Sequence, residues 1–150
     1  CNRLAEAMAR DVLRALIAAP EISGIAILTA EPSLPRFPEA AGARLFPETP
    51  GGDYCADLAA AAATLAAGGV RTLIVLPSDL PTLSAASIRA LLTAHTETPE
   101  GVTVAAAHDG GTNALVLTPP TVIPFLFGPD SAARHLEAAT ARGVACQRLD

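Results

Sequence analysis

Aromatic residues are scarce in this sequence, which has no tryptophan, one tyrosine and four phenylalanines. Proteins that hold single-stranded nucleic acid stack its bases on aromatic rings, so this scarcity argues against such a partner. Arg residues form no dense run, and the net charge of -5 offers no positive surface to a duplex. The composition therefore predicts that nucleic acid is not a partner.

Long apolar runs and ordered cysteine patterns are missing as well. No hydrophobic segment approaches the length that crosses a bilayer, and the first residues lack the basic-then-apolar pattern of a signal peptide. Cys1, Cys55 and Cys146 match neither a zinc motif nor a disulfide framework. We therefore expect a cytoplasmic protein with reduced thiols and no membrane association.

The composition is that of a folded protein, with 51% hydrophobic and 17% charged residues. A chain of 150 residues can bury one sizeable core but is too short for two ordinary domains. We expect residues 1–150 to form a single domain with one site.

Hydrophobic periodicity predicts helices that alternate with strands. The predicted helices cover residues 3–19, residues 53–67 with Asp53 as N-cap, a segment capped by Ser84, and a segment from Asp130 or Ser131 to Arg142. The predicted strands are residues 24–30, 72–76, 102–107, 114–117 and 144–149. The proline-rich stretch between the first strand and Asp53 is predicted to be mostly irregular. This alternation is typical of a largely parallel sheet with helices on both faces.

Asp79 is the first candidate functional residue, because it follows the apolar run Thr72–Leu76 between two prolines. Open α/β sheets bind ligands beyond the carboxyl ends of their strands. A carboxylate there can hold Mg²⁺, which takes one or two protein carboxylates and completes its shell with phosphates and water. The alternative is that Asp79 only caps the following turn or helix. We favour the metal-binding role.

Two further segments combine glycine with short polar residues. In the first, Gly111, Thr112 and Asn113 can approach an anion closely, although paired glycines between strands also form plain hairpin turns. In the second, Gly128 and Ser131 precede a predicted helix, whose free N–H groups attract a phosphate or carboxylate. The alternative for Ser131 is an ordinary N-cap.

The three histidines, His95, His108 and His135, are predicted to lie at the surface or at the edge of the core. No serine or cysteine has a base at a spacing that indicates an activated nucleophile. Covalent catalysis is therefore not predicted.

Taken in order, four segments resemble the 2-phospholactate or phosphoenolpyruvate guanylyltransferases, relatives of the molybdopterin and sugar nucleotidyltransferases. These segments are Ala7–Leu13, Val75–Pro81, Gly110–Leu115 and Phe127–Ser131. The second and third are the most specific, and the resemblance covers nearly the whole chain. It implies an α/β, three-layer Rossmann-like nucleotidyltransferase fold of the GT-A-like type, with a mostly parallel central sheet.

The resemblance also implies a reaction. The enzyme would transfer GMP from GTP to the phosphate of phosphoenolpyruvate or 2-phospho-L-lactate, releasing diphosphate, in the synthesis of a deazaflavin coenzyme. Asp79 would be catalytic and would bind Mg²⁺, while Thr112, Gly128 and Ser131 would hold the acid, with Gly111 and Asn113 as further candidates. GTP and a small phosphorylated acid are the expected partners, and a homodimer is left open.

Two departures from the family pattern bear on these expectations. The first strand and the basic nucleotide-binding loop of the family have no counterpart, so we expect that the chain lacks them. The family's Gly-Leu-Asn is replaced around Gly52 and Asp53, which leaves base recognition open. The alternatives are a molybdopterin-type or sugar-phosphate nucleotidyltransferase and a non-catalytic domain that binds a phosphorylated metabolite.

Overall fold

The computed structural model describes residues 2–31, 36–96 and 100–150. Its helices are α1 (Asn2–Ala18), α2 (Tyr54–Ala67), α3 (Ala85–His95) and α4 (Ser131–Ala141), with a 3₁₀ turn at Pro38–Ala40. Its strands are β1 (Ala26–Thr29), β2 (Arg44–Pro47), β3 (Leu73–Val75), β4 (Gly101–Ala106), β5 (Thr112–Leu117) and β6 (Ala145–Leu149). The chain divides into two compact units, Cys1–Gly52 with Pro77–Ala90 and Asp53–Leu76 with Leu91–Asp150.

The first unit contains a two-stranded parallel sheet, β1 with β2. Leu13 of α1 packs with Ile27 of β1 and Ala40 of the 3₁₀ turn. The helical periodicity of this segment also predicts Leu4 on the apolar face of α1, but Leu4 is 68% exposed. The prediction of a mostly irregular proline-rich stretch missed β2, because that strand pairs in register with β1 and carries little apolar pattern of its own.

The second unit contains a four-stranded sheet in the order β3-β5-β4-β6. β5 is antiparallel to both β3 and β4, while β4 and β6 are parallel. Consequently β3, β4 and β6 run in one direction and β5 alone is reversed. The reversal follows from the chain: β4 and β5 are joined by a turn of a few residues, and so short a connection can join only antiparallel strands.

The core of the second unit lies on this sheet. Val102, Val104, Leu115 and Leu117 are fully buried, and α4 packs against β4 and β6. A side chain at Gly101 would meet the carbonyl of Ala145, so glycine is what allows β4 and β6 to pair there.

The predicted helix caps are confirmed at two helices. The Asp53 carboxylate accepts hydrogen bonds from the amides of Cys55 and Ala56 at the start of α2. The Ser84 hydroxyl accepts from the amide of Ser87 in α3 at 3.1 Å. At α4 the N-cap is Asp130, whose backbone is left-handed with φ 55° and whose side chain makes no capping bond. None of the helices in the described ranges is both long and apolar enough to cross a membrane.

Candidate active site

The glycine segment between β4 and β5 forms a hairpin turn. The Ala107 amide donates to the Gly111 carbonyl at 2.9 Å, and the Gly110 amide donates to the Ala107 carbonyl at 3.0 Å. The Gly111 amide donates to the Asp109 carboxylate at 2.9 Å. Gly110 has φ +87°, a left-handed conformation that favours glycine. Both glycine amides are therefore occupied within the turn, as expected for the hairpin alternative.

The start of α4 is bonded directly to this turn. The Ala132 amide donates to the Gly110 carbonyl at 3.1 Å, and the Ser131 amide donates to the Gly128 carbonyl at 3.2 Å. The Ala133 amide has no acceptor within the described residues and remains available to an anion. The two segments that the sequence singled out separately thus form one structure.

The hydroxyl groups of Thr112 and Ser131 form the centre of this structure. Their oxygens lie 2.9 Å apart, although 19 positions separate the two residues in the sequence. Thr112 is 9% exposed and Ser131 is 1% exposed. Bulk water therefore has little access to the pair, and its geometry is set by the protein.

His135 completes the group, and the prediction that it lies at the surface or core edge is wrong. It is fully buried, and its Nδ1 lies 3.2 Å from Oγ1 of Thr112. Its Nε2 accepts a hydrogen bond from the Leu126 amide at 2.9 Å. Burial, followed by the charge of Arg134, lowers the pKa of His135 from 6.5 to about 4. The imidazole is therefore neutral at physiological pH.

The other histidines differ from each other. His95 is also buried, contrary to prediction, and its ring nitrogens bond the hydroxyls of Thr103 and Thr118 at 2.8 and 2.9 Å. Burial lowers its pKa. His108 is exposed, as predicted.

Phe127 connects this group to the segment that precedes α4. Its ring contacts His135 edge-on with centroids 5.0 Å apart, and it also packs against Phe125 and Tyr54. The Cys55 thiol lies 3.9 Å from the Phe127 carbonyl. Three of the five aromatic residues thus pack together, and Gly128, which has φ +124°, follows Phe127 in the chain.

Asp79 belongs to the first unit, between β3 and α3 in the chain. Its side chain is exposed and has no hydrogen-bond or ion-pair partner among the described residues. Asn113 is exposed too, and it is the extra residue of a β-bulge, because Ala106 pairs with Thr112 and Ala105 pairs with Ala114.

No cluster of three or more histidine, cysteine or acidic residues suited to a metal occurs in residues 2–31, 36–96 and 100–150. The Asp79 carboxylate, which has no partner among the described residues, is the type of ligand that Mg²⁺ takes when phosphates and water complete its shell.

Comparison with known proteins identifies the family. Residues 2–150 match the family model described as "Guanylyl transferase CofC like". The chain belongs to this family. Proteins similar to it include a Chloroflexus aggregans phosphoenolpyruvate guanylyltransferase, 36% identical over 82% of this chain and 60% of that protein. A 3-phospho-D-glycerate guanylyltransferase of Phenylobacterium zucineum is 36% identical over 98% of this chain and 68% of that protein. The chain thus spans about three fifths of the Chloroflexus relative's length.

Solved structures confirm the predicted α/β nucleotidyltransferase fold of this CofC-like chain. A Desulfovibrio desulfuricans protein, described as a nucleotide-diphospho-sugar transferase, superposes with a TM-score of 0.77 at 16% identity, covering 98% of this chain and 66% of its own. A CMP:2-keto-3-deoxy-manno-octonic acid synthetase superposes with a TM-score of 0.65 at 9% identity, covering 95% of this chain and 78% of its own. At such identities the likeness concerns the fold alone.

Proposed function

We propose that this protein is a guanylyltransferase that transfers GMP from GTP to the phosphate of a small phosphorylated acid and releases diphosphate. The observation that carries the proposal is the buried Thr112–Ser131 hydroxyl pair beside the glycine turn, in a chain of the CofC-like family. Relatives are named for phosphoenolpyruvate and for 3-phospho-D-glycerate. Both are three-carbon acids that carry a carboxylate and a phosphate.

The residues around the hydroxyl pair have the chemistry that such an acid requires. Each hydroxyl has one proton, and the pair shares one hydrogen bond, so one proton remains for an anionic oxygen. The free Ala133 amide and the positive end of the α4 dipole add to the attraction. We propose that Thr112, Gly128 and Ser131 hold the acid, with Gly111 and Asn113 as neighbouring candidates.

Asp79 is the proposed catalytic carboxylate and ligand of Mg²⁺. The bound ion would neutralise charge between the phosphates of the two substrates. The phosphate oxygen of the acid attacks the α-phosphorus of GTP, and diphosphate leaves. No covalent enzyme intermediate is needed, so the work of the protein is to position the reactants.

We further propose that the product feeds the synthesis of a deazaflavin coenzyme, with 2-phospho-L-lactate as a third candidate acceptor. The support is the resemblance of the segments around Asp79 and Thr112 to enzymes of that route.

Activity of the full chain with GTP and Mg²⁺ tests the proposal. Phosphoenolpyruvate, 2-phospho-L-lactate and 3-phospho-D-glycerate are offered in turn, and the guanylylated acid is detected by mass spectrometry together with diphosphate release. ATP and CTP control for the base, and a sugar 1-phosphate controls for the acceptor. Transfer to the sugar phosphate alone would favour a sugar nucleotidyltransferase, and acid binding without GTP binding would favour a non-catalytic domain.

A further inference from the structure

We propose that His135 is a positioning residue of the acid-binding site, which orients the hydroxyl protons of Thr112 and Ser131 toward the acid. This inference rests on the proposed function, because it concerns the same site. The histidine is fully buried and its Nδ1 lies 3.2 Å from Oγ1 of Thr112, so it acts on the acid through the hydroxyl pair.

The hydrogen bonds of the imidazole determine which nitrogen carries its proton. Nε2 accepts from the Leu126 amide at 2.9 Å and must therefore present a lone pair. In a neutral ring the proton then lies on Nδ1. The Thr112 hydroxyl, whose oxygen lies 3.2 Å from Nδ1, can accept it.

This tautomer gives the hydroxyl pair a direction. With Nδ1–H donating to Oγ1 of Thr112, that oxygen is an acceptor on its buried side, and the threonine proton points to Oγ of Ser131. The proton of Ser131 is then the one left over. A chain from His135 through Thr112 to Ser131 thus ends in a donor for an anionic oxygen, and burial of all three side chains keeps water from reversing it.

The same imidazole also positions the segment before α4. The Leu126 amide is bonded to Nε2, and the adjacent Phe127 ring packs edge-on against the imidazole. Gly128, a proposed acid-binding residue, follows immediately in the chain. One side chain therefore sets both the orientation of the hydroxyls and the path of the backbone beside them.

Two substitutions separate these contacts. In His135→Asn the amide nitrogen can stand at the Nδ1 position, keeping a donor for Thr112 and losing the acceptor for Leu126. In His135→Gln the amide oxygen can stand at the Nε2 position, keeping that acceptor and losing the donor. We expect His135→Gln to raise KM for phosphoenolpyruvate roughly tenfold with KM for GTP unchanged, and His135→Asn to raise it at most about threefold.

The tautomer itself is measured independently, by ¹⁵N–¹H NMR of the histidine-labelled full chain at neutral pH. We expect His135 to be protonated on Nδ1, and its signals to shift when phosphoenolpyruvate is added. His135→Leu, checked for folding by circular dichroism, should weaken phosphoenolpyruvate binding at least as much as His135→Gln.

The outcomes separate this inference from the proposed function. A wild-type protein that neither binds nor guanylylates any of the acids overturns both. A wild-type protein that binds phosphoenolpyruvate, with the same affinity in His135→Gln, overturns the inference alone. Protonation of His135 on Nε2 would also overturn it. So would equal increases in KM for phosphoenolpyruvate and for GTP in His135→Gln.

Discussion

The amide of Ala132 donates a hydrogen bond to the carbonyl of Gly110 at 3.1 Å. This bond joins the first turn of α4 to the hairpin turn between β4 and β5. A Cβ atom at Gly110 would lie only 3.1 Å from Oδ1 of Asp130, which confirms how closely the two segments approach. The position of the proposed acid site therefore depends on the backbone of Gly110.

Gly110→Ala should destabilise the protein by about 2 kcal/mol. The left-handed backbone alone costs an alanine roughly 1 kcal/mol or more, and the new methyl group crowds the Asp130 carboxylate. Urea denaturation measures the loss. Gly143→Ala is the matched control, because Gly143 has φ +67° with nothing within 4 Å of the added Cβ, and it should lose only about 1 kcal/mol. If both variants lost the same free energy of unfolding, crowding against Asp130 would contribute nothing to the effect at Gly110.

Ser131→Ala should raise KM for the acid roughly tenfold, because it removes the hydroxyl proton proposed to meet an anionic oxygen. KM for GTP should not change. Thr112→Val should have a similar effect, whereas Thr112→Ser keeps the hydroxyl and should stay near wild type. Steady-state kinetics with each substrate varied in turn provides the measurement. An effect confined to GTP would show that the two substrate subsites are assigned in reverse.

Asp79→Asn should abolish turnover while the fold is retained, because a neutral amide cannot offset the charge of a metal ion. The side chain is exposed and unpartnered among the described residues, so little stability depends on it. Asp11→Asn removes another exposed carboxylate of the first unit and should leave turnover unchanged. Wild-type turnover in Asp79→Asn would remove this residue from the mechanism.

Stability should decrease as the pH falls from about 6.5 toward 4. In that range an unfolded His135 takes up a proton, whereas in the folded protein burial holds its pKa at about 4 and the ring stays neutral. The unfolded state thus binds more protons than the folded state. This difference lowers the free energy of unfolding by about 3 kcal/mol at most. Buried His95, whose pKa is also lowered, adds to the loss in the same direction.

Urea denaturation of His135→Asn across this pH range isolates the histidine contribution. Its free energy of unfolding should depend less steeply on pH than that of the wild type. His108→Asn, at an exposed position, should keep the wild-type slope. If the free energies of unfolding of the wild type, His135→Asn and His108→Asn changed with pH in parallel, His135 would not be the cause of the pH dependence.

Asp53→Ala should destabilise the protein by about 1 kcal/mol, because the amides of Cys55 and Ala56 lose their acceptor at the start of α2. Asp53→Ser provides another capping oxygen and should lose less than about half as much. Thermal unfolding distinguishes the two variants. A raised KM for GTP in the stable serine variant would assign Asp53 a role in nucleotide binding as well.

Much of the local structure was predictable from the sequence. The helix starting after Asp53, the helix after Ser84 and the strands on either side of the glycine turn occur where periodicity and capping residues place them. These signals are local, because a cap or an amphipathic stripe is set by residues within one or two turns. The family was predictable for the same reason, since short contiguous segments carry it.

His135 shows what local signals omit. It stands four residues after Ser131 in α4, a spacing that puts both on one face of the helix, and this was a signal that could have placed it beside the site. The third partner, Thr112, is 23 positions away in another element. Nothing in the composition indicates that a strand and a helix so separated present their polar groups to each other.

By itself, the sequence predicted the four helices and five of the six strands of the described residues, where most of these helices begin, and to which family the chain belongs. Only the tertiary structure decided that β2 pairs with β1, that β5 runs against its neighbours, and that Thr112, Ser131 and His135 share buried hydrogen bonds. The physical reason is the distance along the chain over which each kind of interaction acts. Backbone propensity and capping act between neighbours in the chain, whereas the pairing of strands and the burial of polar groups depend on which distant elements pack together.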